Sequence, residues 1–394
     1  MMIHLSPGVE KKLILASTIL FWMALYIYVP ILSPYAQFLG GSFTVIGLVV
    51  ASYGFSQLVF RFPIGIWSDN KGRRKPFVIS GFIFALASCI GMAFSPSAWI
   101  LMIFRGLSGV AASMWVAYTV MYSGYFQDSQ STRAMSLITF CTGFAQMLST
   151  YIGGKIADSY GWVAPFHVGT ALSVLGMLTL MPVCEKTVQT QVRFSLQRLL
   201  SIASQRRLII VSFITALSQF SMFITTYAFL PIYATDIGAS KSDLGVLMFI
   251  IHLFQTISMY LAGIIVAPKI GYKLTVSLAY AVASITTFAI PYIDSLKLLF
   301  IINGTGALGR GLAYPILMGL AIQGVSKEDK ATAMGFYQAV YATGMFIGPA
   351  AGGFIGDSLG LGGVFVCSGI VFAIATLMSL YMLPKRYVNE TNTA

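Results

Sequence analysis

The chain has 394 residues, of which 57% are hydrophobic and 9% are charged, and its mean hydropathy is +0.82. A water-soluble domain carries about 25% charged residues, so this composition excludes a soluble protein with an aqueous surface. The basic residues behind the net charge of +12 lie between apolar runs rather than along one helix face, which argues against a nucleic acid partner.

Twelve apolar runs follow one another along the chain, each long enough to cross a bilayer. One transmembrane helix needs about 20 mainly apolar residues, so twelve spans leave room only for short connections and for no soluble catalytic domain. The pattern therefore predicts an all-α, polytopic membrane protein with twelve transmembrane helices. The predicted spans are 13–36, 43–67, 76–95, 98–123, 134–157, 163–183, 208–234, 243–266, 274–292, 297–320, 331–356 and 362–383.

The basic residues predict how the chain is oriented in the membrane. If the N-terminus is inside, eighteen Lys and Arg residues fall on the inner side, three on the outer side and three within spans. Loops rich in Lys and Arg stay in the cytoplasm. We therefore expect a multi-pass protein of the cell membrane with both termini in the cytoplasm.

The two halves of the sequence resemble each other at a shift of 198 to 201 residues. Residues 153–161 share six of nine identities with residues 352–360, and Tyr26 returns as Tyr227. Two parallel repeats of this kind build a substrate site between them near the bilayer midplane. The predicted units are an N-terminal six-helix bundle over 1–183, a cytoplasmic linker over 184–207 and a C-terminal six-helix bundle over 208–394.

The most specific motif lies in the loop between spans two and three. Its pattern is Gly65-x3-Asp69-x2-Gly72-Arg73-Arg74. It resembles the G-x-x-x-D-x-x-G-R-[RK] loop signature of the major facilitator superfamily. Span count, half-repeat and loop signature extend the resemblance over essentially the whole chain. The resemblance implies the fold of that superfamily and transport by alternating access.

The resemblance also implies a conformational latch on the cytoplasmic side. Asp69 is expected to lie against the start of span eleven, where a carboxylate at a helix N-terminus gains about 0.3–1 kcal/mol. Arg73 or Arg74 is expected to reach Asp128, and Arg133 joins the group. A merely positive loop is the alternative, but it leaves the Gly and Asp spacing unexplained.

Three arginines lie inside predicted spans, where a charge marks a wet or functional site. Arg310 lies near the middle of span ten, shares a helical face with Asn303, and is predicted together with Asn303 to bind substrate. Arg105 stands in a span-four pattern similar to one of the superfamily, whose Arg is linked to substrate binding or proton coupling. Its alternative is an Arg that snorkels or is held by carbonyl groups. Arg61, nearer the cytoplasm, contacts either substrate or the latch region.

The charges within the spans predict the class of solute. All twelve acidic residues fall in loops, tails or span ends, so the cavity should be electropositive and favour an anionic or zwitterionic solute. Tyr26 and Tyr227 are added as substrate contacts because they occupy equivalent repeat positions. His252 in span eight is the candidate for proton coupling, and a structural, hydrogen-bonded histidine is its alternative.

Span eleven contains a ladder of small residues around a proline. Gly344, Gly348, Pro349, Gly352 and Gly353 match a pattern that antiporters of the superfamily show in span five, whereas span five of this chain lacks the Gly-Pro step. We assign these residues to helix packing and gating, and packing alone is an equal alternative.

These observations predict a secondary active transporter that exports a small anionic or zwitterionic organic compound. The alternatives are an uptake symporter or uniporter for organic anions, or a receptor or scaffold that transports nothing. No span carries the paired Asp, Ser with His or zinc ligands of an intramembrane enzyme, so we predict no enzymatic activity, cofactor or metal. The expected partners are the solute, the lipid bilayer and protons, and we expect a monomer.

Overall fold

The computed structural model describes residues 6–127, 130–185, 201–202, 204–326 and 329–384, and within these ranges it leaves out the side chains of residues 69, 131, 132 and 331. Its long helices are numbered here in chain order. They are α1 Pro7–Phe38, α2 Phe43–Lys71, α3 Lys75–Ala93, α4 Ala98–Ser123, α5 Ser131–Tyr160, α6 Ala164–Leu180, α7 Arg206–Asp236, α8 Lys241–Ile270, α9 Tyr272–Ala289, α10 Leu296–Ile322, α11 330–359 and α12 361–382.

The architecture is the all-α, polytopic membrane fold that the sequence predicts. Nine helices in the described part of the chain are long and apolar enough to cross a membrane. The 30-residue helix α5 and the shorter apolar helix α6 lie among them. The last of the nine is divided at Gly360, whose φ of 71° breaks the helical path between α11 and α12. Helices α5 and α6, together with the division of the ninth helix into α11 and α12, bring the number of long helices to twelve.

Two tyrosine–proline pairs interrupt the first helix of each half. Pro30 has no N–H to donate to the carbonyl of Tyr26, and Pro231 has none for Tyr227, because a helical N–H bonds to the residue four positions earlier. Accordingly, α1 bends between Tyr26 and Val29, and residues Phe223–Phe229 of α7 form a π-helical segment. The freed carbonyl of Tyr227 accepts a hydrogen bond from the Ser33 hydroxyl at 3.0 Å.

The repeat seen in the sequence recurs in the turns of the backbone. Three turns of the first half contain a glycine with positive φ, and each has a counterpart 198 or 199 residues later. Only glycine adopts this conformation without steric cost, so the equivalent turns have the same local requirement. The pairs are Gly40 with Gly238, Gly72 with Gly271, and Gly161 with Gly360.

The two halves meet closely at one end of the bundle, which we call the far end because it lies opposite the Gly72–Arg73 loop. There α5 crosses α8 so closely that a Cβ on Gly154 would lie 2.6 Å from the Cα of Gly245. Helix α2 crosses α11 in the same way, since a Cβ on Gly54 would lie 2.7 Å from the carbonyl carbon of Met345. Small residues let the helix backbones approach to this distance.

A carboxylate also joins the halves at the far end. Asp357, near the end of α11, accepts hydrogen bonds from the backbone N–H groups of Phe43 at 3.0 Å and Thr44 at 2.9 Å. These are the first residues of α2, so Asp357 caps a helix of the other half. The interaction combines two hydrogen bonds with the favourable position of an anion at a helix N-terminus.

Candidate functional site

Buried polar side chains from both halves gather where α1, α7, α8 and α10 approach one another. Tyr26 and Tyr227, each next to its helix break, interact with each other through their hydroxyl groups. Tyr227 also interacts electrostatically with Arg310 and Arg105. The structure therefore brings together four of the residues that the sequence proposes for substrate binding. We call Tyr26, Arg105, Tyr227, His252 and Arg310 the central cluster.

Arg310 is a buried cation with unused hydrogen-bonding groups. Its side chain is 5% exposed, and its Nε and Nη2 groups lack a hydrogen-bond partner among the described residues. Helix α10 contains no acidic residue, and the acids of α7 and α8 lie only at helix ends. A buried donor without a partner costs about 1–3 kcal/mol, more for a charged group, so this guanidinium is suited to receive an acceptor.

Gly306 makes room for the Arg310 side chain. A side chain on a helix leans toward the N-terminal turn, which carries the guanidinium back over the residue four positions earlier. A Cβ on Gly306 would lie 3.2 Å from Nη1 of Arg310 and 2.6 Å from Oγ1 of Thr286 in α9. Because glycine has no side chain at this position, the guanidinium of Arg310 has room to lie there.

Arg105 is held more firmly than Arg310. Its Nη1 donates to the Tyr28 hydroxyl at 3.0 Å and to the Ser108 hydroxyl at 3.1 Å, and its guanidinium carbon lies 4.2 Å from the ring centre of Tyr53. Stacking on an aromatic face and neutral hydroxyl partners stabilise the cation without neutralising it. Arg105 therefore contributes a fixed positive charge to the central cluster, and its buried Nε has no partner among the described residues.

His252 of α8 lies between the two tyrosines. Its ring centre is 6.2 Å from that of Tyr26 and 6.5 Å from that of Tyr227. Its Nδ1 is 2.7 Å from the carbonyl oxygen of Met248, while its Nε2 is buried without a partner. One ring nitrogen is thus used within the helix and the other is left for a further contact.

Arg61 belongs to a separate group, closer to the Gly72–Arg73 loop. Its Nη1 donates to Gln338 at 3.2 Å and to Tyr341 at 3.1 Å, both on α11, and its Nη2 donates to Gln57 at 2.7 Å. Tyr341 in turn interacts with Tyr314 of α10. Arg61 therefore connects the two halves through neutral partners rather than joining the central cluster.

Asn303 lies on the Arg310 face of α10 by spacing. Its amide Nδ2 donates to the carbonyl of Leu299 at 2.9 Å, four residues earlier in the same helix. This bond uses one of the two amide hydrogens, so the proposed contact of Asn303 with substrate stays a prediction.

The proposed latch lies partly outside the described residues. Asp128 and the side chain of Asp69 are not described, so the predicted contacts of these carboxylates stay predictions. Gly65 lies beside Val116, whose Cγ1 is the nearest atom to an added Cβ at 3.8 Å, and Gly72 has a φ of 61°. Arg73 and Arg133 have exposed side chains.

The loop of the proposed latch is tied to the segment that follows α6. The backbone N–H groups of Arg74 and Lys75 donate to the Glu185 carboxylate, the second at 3.1 Å. The Arg74 guanidinium donates to the carbonyl of Ser68, and Lys75 Nζ donates to that of Val183 at 2.7 Å. The sequence analysis missed Glu185, since nothing in its local pattern distinguishes it from any acid near a helix end.

The glycines of α11 face two different helices. Gly344, Gly348 and Gly352 recur every four residues and lie against α7, with Ala216, Phe220 and Ile224 as their respective neighbours. Gly353 lies against the start of α2, and the carbonyl of Pro349 lies against Gly47 of the same helix.

Sequence reasoning also missed two aromatic groups near the central cluster. Tyr53 stacks on Arg105 and follows the same face of α2 as Gln57 and Arg61, so its four-residue spacing was a usable signal. Trp22 packs on Tyr26 with ring centres 5.8 Å apart, and on Trp115 at 5.4 Å. Their contacts depend on how α1 and α4 pack, which spacing alone does not give.

Comparison with known proteins identifies the family. The family model described as Major Facilitator Superfamily matches residues 14–307 and 211–394. The chain belongs to the major facilitator superfamily. It is therefore a multi-pass membrane transporter of small solutes and not an enzyme.

Relatives of this superfamily chain are found across bacteria and archaea. An uncharacterised transporter of Methanocaldococcus jannaschii is 23% identical over 369 residues, which is 90% of this chain and 93% of that one. The inner membrane transport protein YajR of Escherichia coli is 24% identical over 385 residues, 93% of this chain and 80% of YajR. The quinolone resistance protein NorA of Staphylococcus aureus is 28% identical over 159 residues, 40% of each chain.

A solved structure shares the fold. The inward-facing, occupied structure of a bacterial homologue of the human lysosomal transporter Spinster superposes with a TM-score of 0.80 at 13% identity. The match covers 96% of this chain and 98% of that one.

Proposed function

We propose that this chain is a secondary active transporter that exports a small anionic or zwitterionic organic solute by alternating access. The observation that carries the proposal is the buried Arg310 guanidinium, whose Nε and Nη2 groups have no partner among the described residues and which interacts electrostatically with Tyr227. A charge at the depth of a membrane helix is stable only when it is paired or solvated. A solute carboxylate or phosphate supplies the missing partner bidentately.

The other members of the central cluster favour the same class of solute. Arg105 adds a second positive charge whose hydrogen-bond partners, Tyr28 and Ser108, are neutral, and Tyr26 and Tyr227 add hydroxyl groups. A lipophilic cation meets no carboxylate in the middle of these helices, because the acidic residues lie at span ends and in loops. The site therefore selects for negative charge, alone or in a zwitterion.

We propose that the transport motion is a rocking of residues 1–183 against residues 208–394, with 184–207 as the linker. The close crossings at the far end and the Asp357 cap support a state in which that end is closed. The latch of Asp69, Arg73, Arg74, Asp128 and Arg133 then stabilises the opposite state, and Arg61 with Gln338 lies between it and the central cluster.

Export is the proposed direction, with both termini in the cytoplasm of the cell membrane. The similarity to a quinolone resistance protein and to YajR supports this proposal. Protons are the proposed coupling ion and His252 the residue that carries them, because it is a titratable side chain that contacts both central tyrosines. We propose that the monomer is the transporting unit.

A ligand-dependent thermal shift tests the proposed solute class. Purified protein is mixed with panels of organic anions, zwitterions and lipophilic cations, and Tm is measured for wild type, Arg310→Gln and Lys297→Gln. Both variants lose one positive charge, but Lys297 is exposed at the start of α10. An anion or zwitterion should raise Tm for wild type and Lys297→Gln and not for Arg310→Gln. Stabilisation by lipophilic cations alone contradicts the proposal.

A further inference from the structure

The two ring nitrogens of His252 have different hydrogen-bonding roles. The carbonyl oxygen of Met248 is only an acceptor, so Nδ1 at 2.7 Å from it must carry a hydrogen. In the neutral imidazole Nε2 is then an acceptor. This acceptor is buried, the side chain is 6% exposed, and no partner for it lies among the described residues.

Two other residues of this region have buried donors without partners among the described residues. Arg310 provides Nε and Nη2 from α10 and interacts electrostatically with His252. Trp22 provides its indole Nε1 from α1, and its ring contacts that of Tyr26, which in turn contacts His252. A ligand that satisfies these atoms together must offer acceptors to Arg310 and a hydrogen to His252.

Aromatic side chains lie in the same region as His252 and Arg310. The ring centres of Trp115 and Trp22 are 5.4 Å apart, those of Trp22 and Tyr26 are 5.8 Å apart, and Tyr227 contacts Phe223 at 4.8 Å. Trp115, Tyr26 and Tyr227 keep part of their surface accessible, whereas Tyr28 and Tyr118 nearby are fully buried. Accessible aromatic faces inside a bundle are suited to a flat apolar group.

From this arrangement we infer that the solute is an aromatic acid that also carries an N–H or O–H donor. Its acid group binds Arg310, its donor hydrogen binds Nε2 of His252, and its ring packs on Tyr26 and the two tryptophans. The inference rests on the proposed anion site and adds the ring and the donor. An anion without a donor leaves His252 Nε2 unpaired. The free energy of the missing hydrogen bond corresponds to about a tenfold weaker Kd.

Four matched probes test the two added features. Indole-3-acetate has the acid, the ring and the N–H; 1-methylindole-3-acetate lacks the N–H; cyclohexylacetate lacks the aromatic ring; tryptamine lacks the acid. Binding to purified full-length protein is measured by calorimetry and by Tm. Indole-3-acetate should bind most tightly, with 1-methylindole-3-acetate and cyclohexylacetate each about tenfold weaker.

Variants assign each difference to a residue. His252→Phe keeps an aromatic ring but removes the acceptor, so it should make the indole and methylindole acids bind equally. Trp22→Phe should reduce the preference for aromatic over cyclohexyl acid. His167→Gln is the control, because His167 is exposed on α6 and contacts Phe94 rather than the central cluster.

The outcomes separate this inference from the proposed function. Equal affinity for all three acids, lost in Arg310→Gln, overturns the inference and leaves the anion site standing. A preference of wild type for indole-3-acetate over 1-methylindole-3-acetate that survives in His252→Phe also overturns it. Tryptamine binding that is unchanged in Arg310→Gln, without acid binding, overturns both. If no probe binds, the inferred class is wrong, and the wider anion panel decides the proposed function separately.

Discussion

At the scale of single residues, the position of the Arg310 guanidinium depends on Gly306, which has no Cβ. Gly306→Ala would place a Cβ 3.2 Å from Nη1 of Arg310 and 2.6 Å from Oγ1 of Thr286. The guanidinium must then move, so we expect anion binding about tenfold weaker or worse, a loss of about 1.4 kcal/mol. Isothermal calorimetry with the stabilising ligand of wild type measures this loss.

Gly319→Ala is the matched control for this prediction. It is the same substitution in the same helix, and no atom lies within 4 Å of its added Cβ. It should retain wild-type affinity. Equal affinity in Gly306→Ala and Gly319→Ala would show that the guanidinium does not need its present position to bind solute.

The arginines show how much of the candidate site can be predicted from the sequence. A charge in the middle of an apolar run predicts a functional residue without any structure, and Arg310 lies buried in the central cluster. Neighbours in the same helix follow from spacing, as Gln57 does for Arg61. Neighbours from other helices were not predictable, and Tyr28 and Tyr53 contact Arg105 because of how the helices pack.

At the scale of helices, the proposed closure of the far end depends on the crossing of α5 over α8. A Cβ on Gly154 would lie 2.6 Å from the Cα of Gly245 and 2.7 Å from the carbonyl oxygen of Lys241, both backbone atoms of the other half. Gly154→Ala should therefore separate the halves at this end. Spin labels at Tyr160 and Tyr292, which are 80% and 83% exposed at the ends of α5 and α9, should show a longer distance.

Gly143→Ala in the same helix tests whether the effect is local. Its nearest neighbour to an added Cβ is Thr256 Oγ1 at 3.9 Å, an ordinary contact distance. The label distance should match wild type in this control. If Gly154→Ala gives the wild-type distance as well, the glycine crossing does not determine closure.

The Asp357 cap gives a second prediction for the far end. Asp357→Asn keeps the side-chain size but removes the charge and one of the two acceptors for Phe43 and Thr44. An anion at a helix N-terminus contributes about 0.3–1 kcal/mol, and up to about 2 in favourable geometry. The ratio of closed to open protein should therefore fall by up to about fivefold for 1 kcal/mol and about thirtyfold for 2 kcal/mol, seen as a broader, longer distance between the same spin labels.

Asp158→Asn is the control for the cap because Asp158 is the repeat counterpart of Asp357. It removes the same charge at an exposed position of the same end. An unchanged distance distribution in Asp357→Asn, or an equal change in both variants, contradicts a specific role for the cap.

The helices themselves were largely predictable, and their internal breaks were less so. Apolar length determines where a helix can cross a bilayer, and each predicted span corresponds to a helix. Proline at Pro30 and Pro231 signals a break, but not whether a bend or a π-helical segment results. That choice depends on neighbours such as Ser33, which binds the carbonyl freed by Pro231.

At the scale of the whole molecule, duplication places one partly buried tyrosine from each half at the interface. Tyr26 and Tyr227 precede equivalent prolines and meet at the central cluster, and the equivalent glycine turns repeat around them. The substrate-facing chemistry is less symmetric, since His252 and Arg310 both belong to the second half. The repeat is visible in the sequence. The asymmetry comes from His252 and Arg310, which have no equivalent residue in the first half.

The central claim is that Arg310 binds an organic anion that the protein then moves across the membrane. The most direct measurement loads proteoliposomes of wild type, Arg310→Gln and Lys297→Gln with a mixture of carboxylates, zwitterions and lipophilic cations, and follows counterflow by mass spectrometry. The account predicts exchange of an anion or zwitterion by wild type and Lys297→Gln, reduced to the level of protein-free liposomes in Arg310→Gln. Exchange of lipophilic cations alone, or anion exchange unchanged in Arg310→Gln, would contradict it.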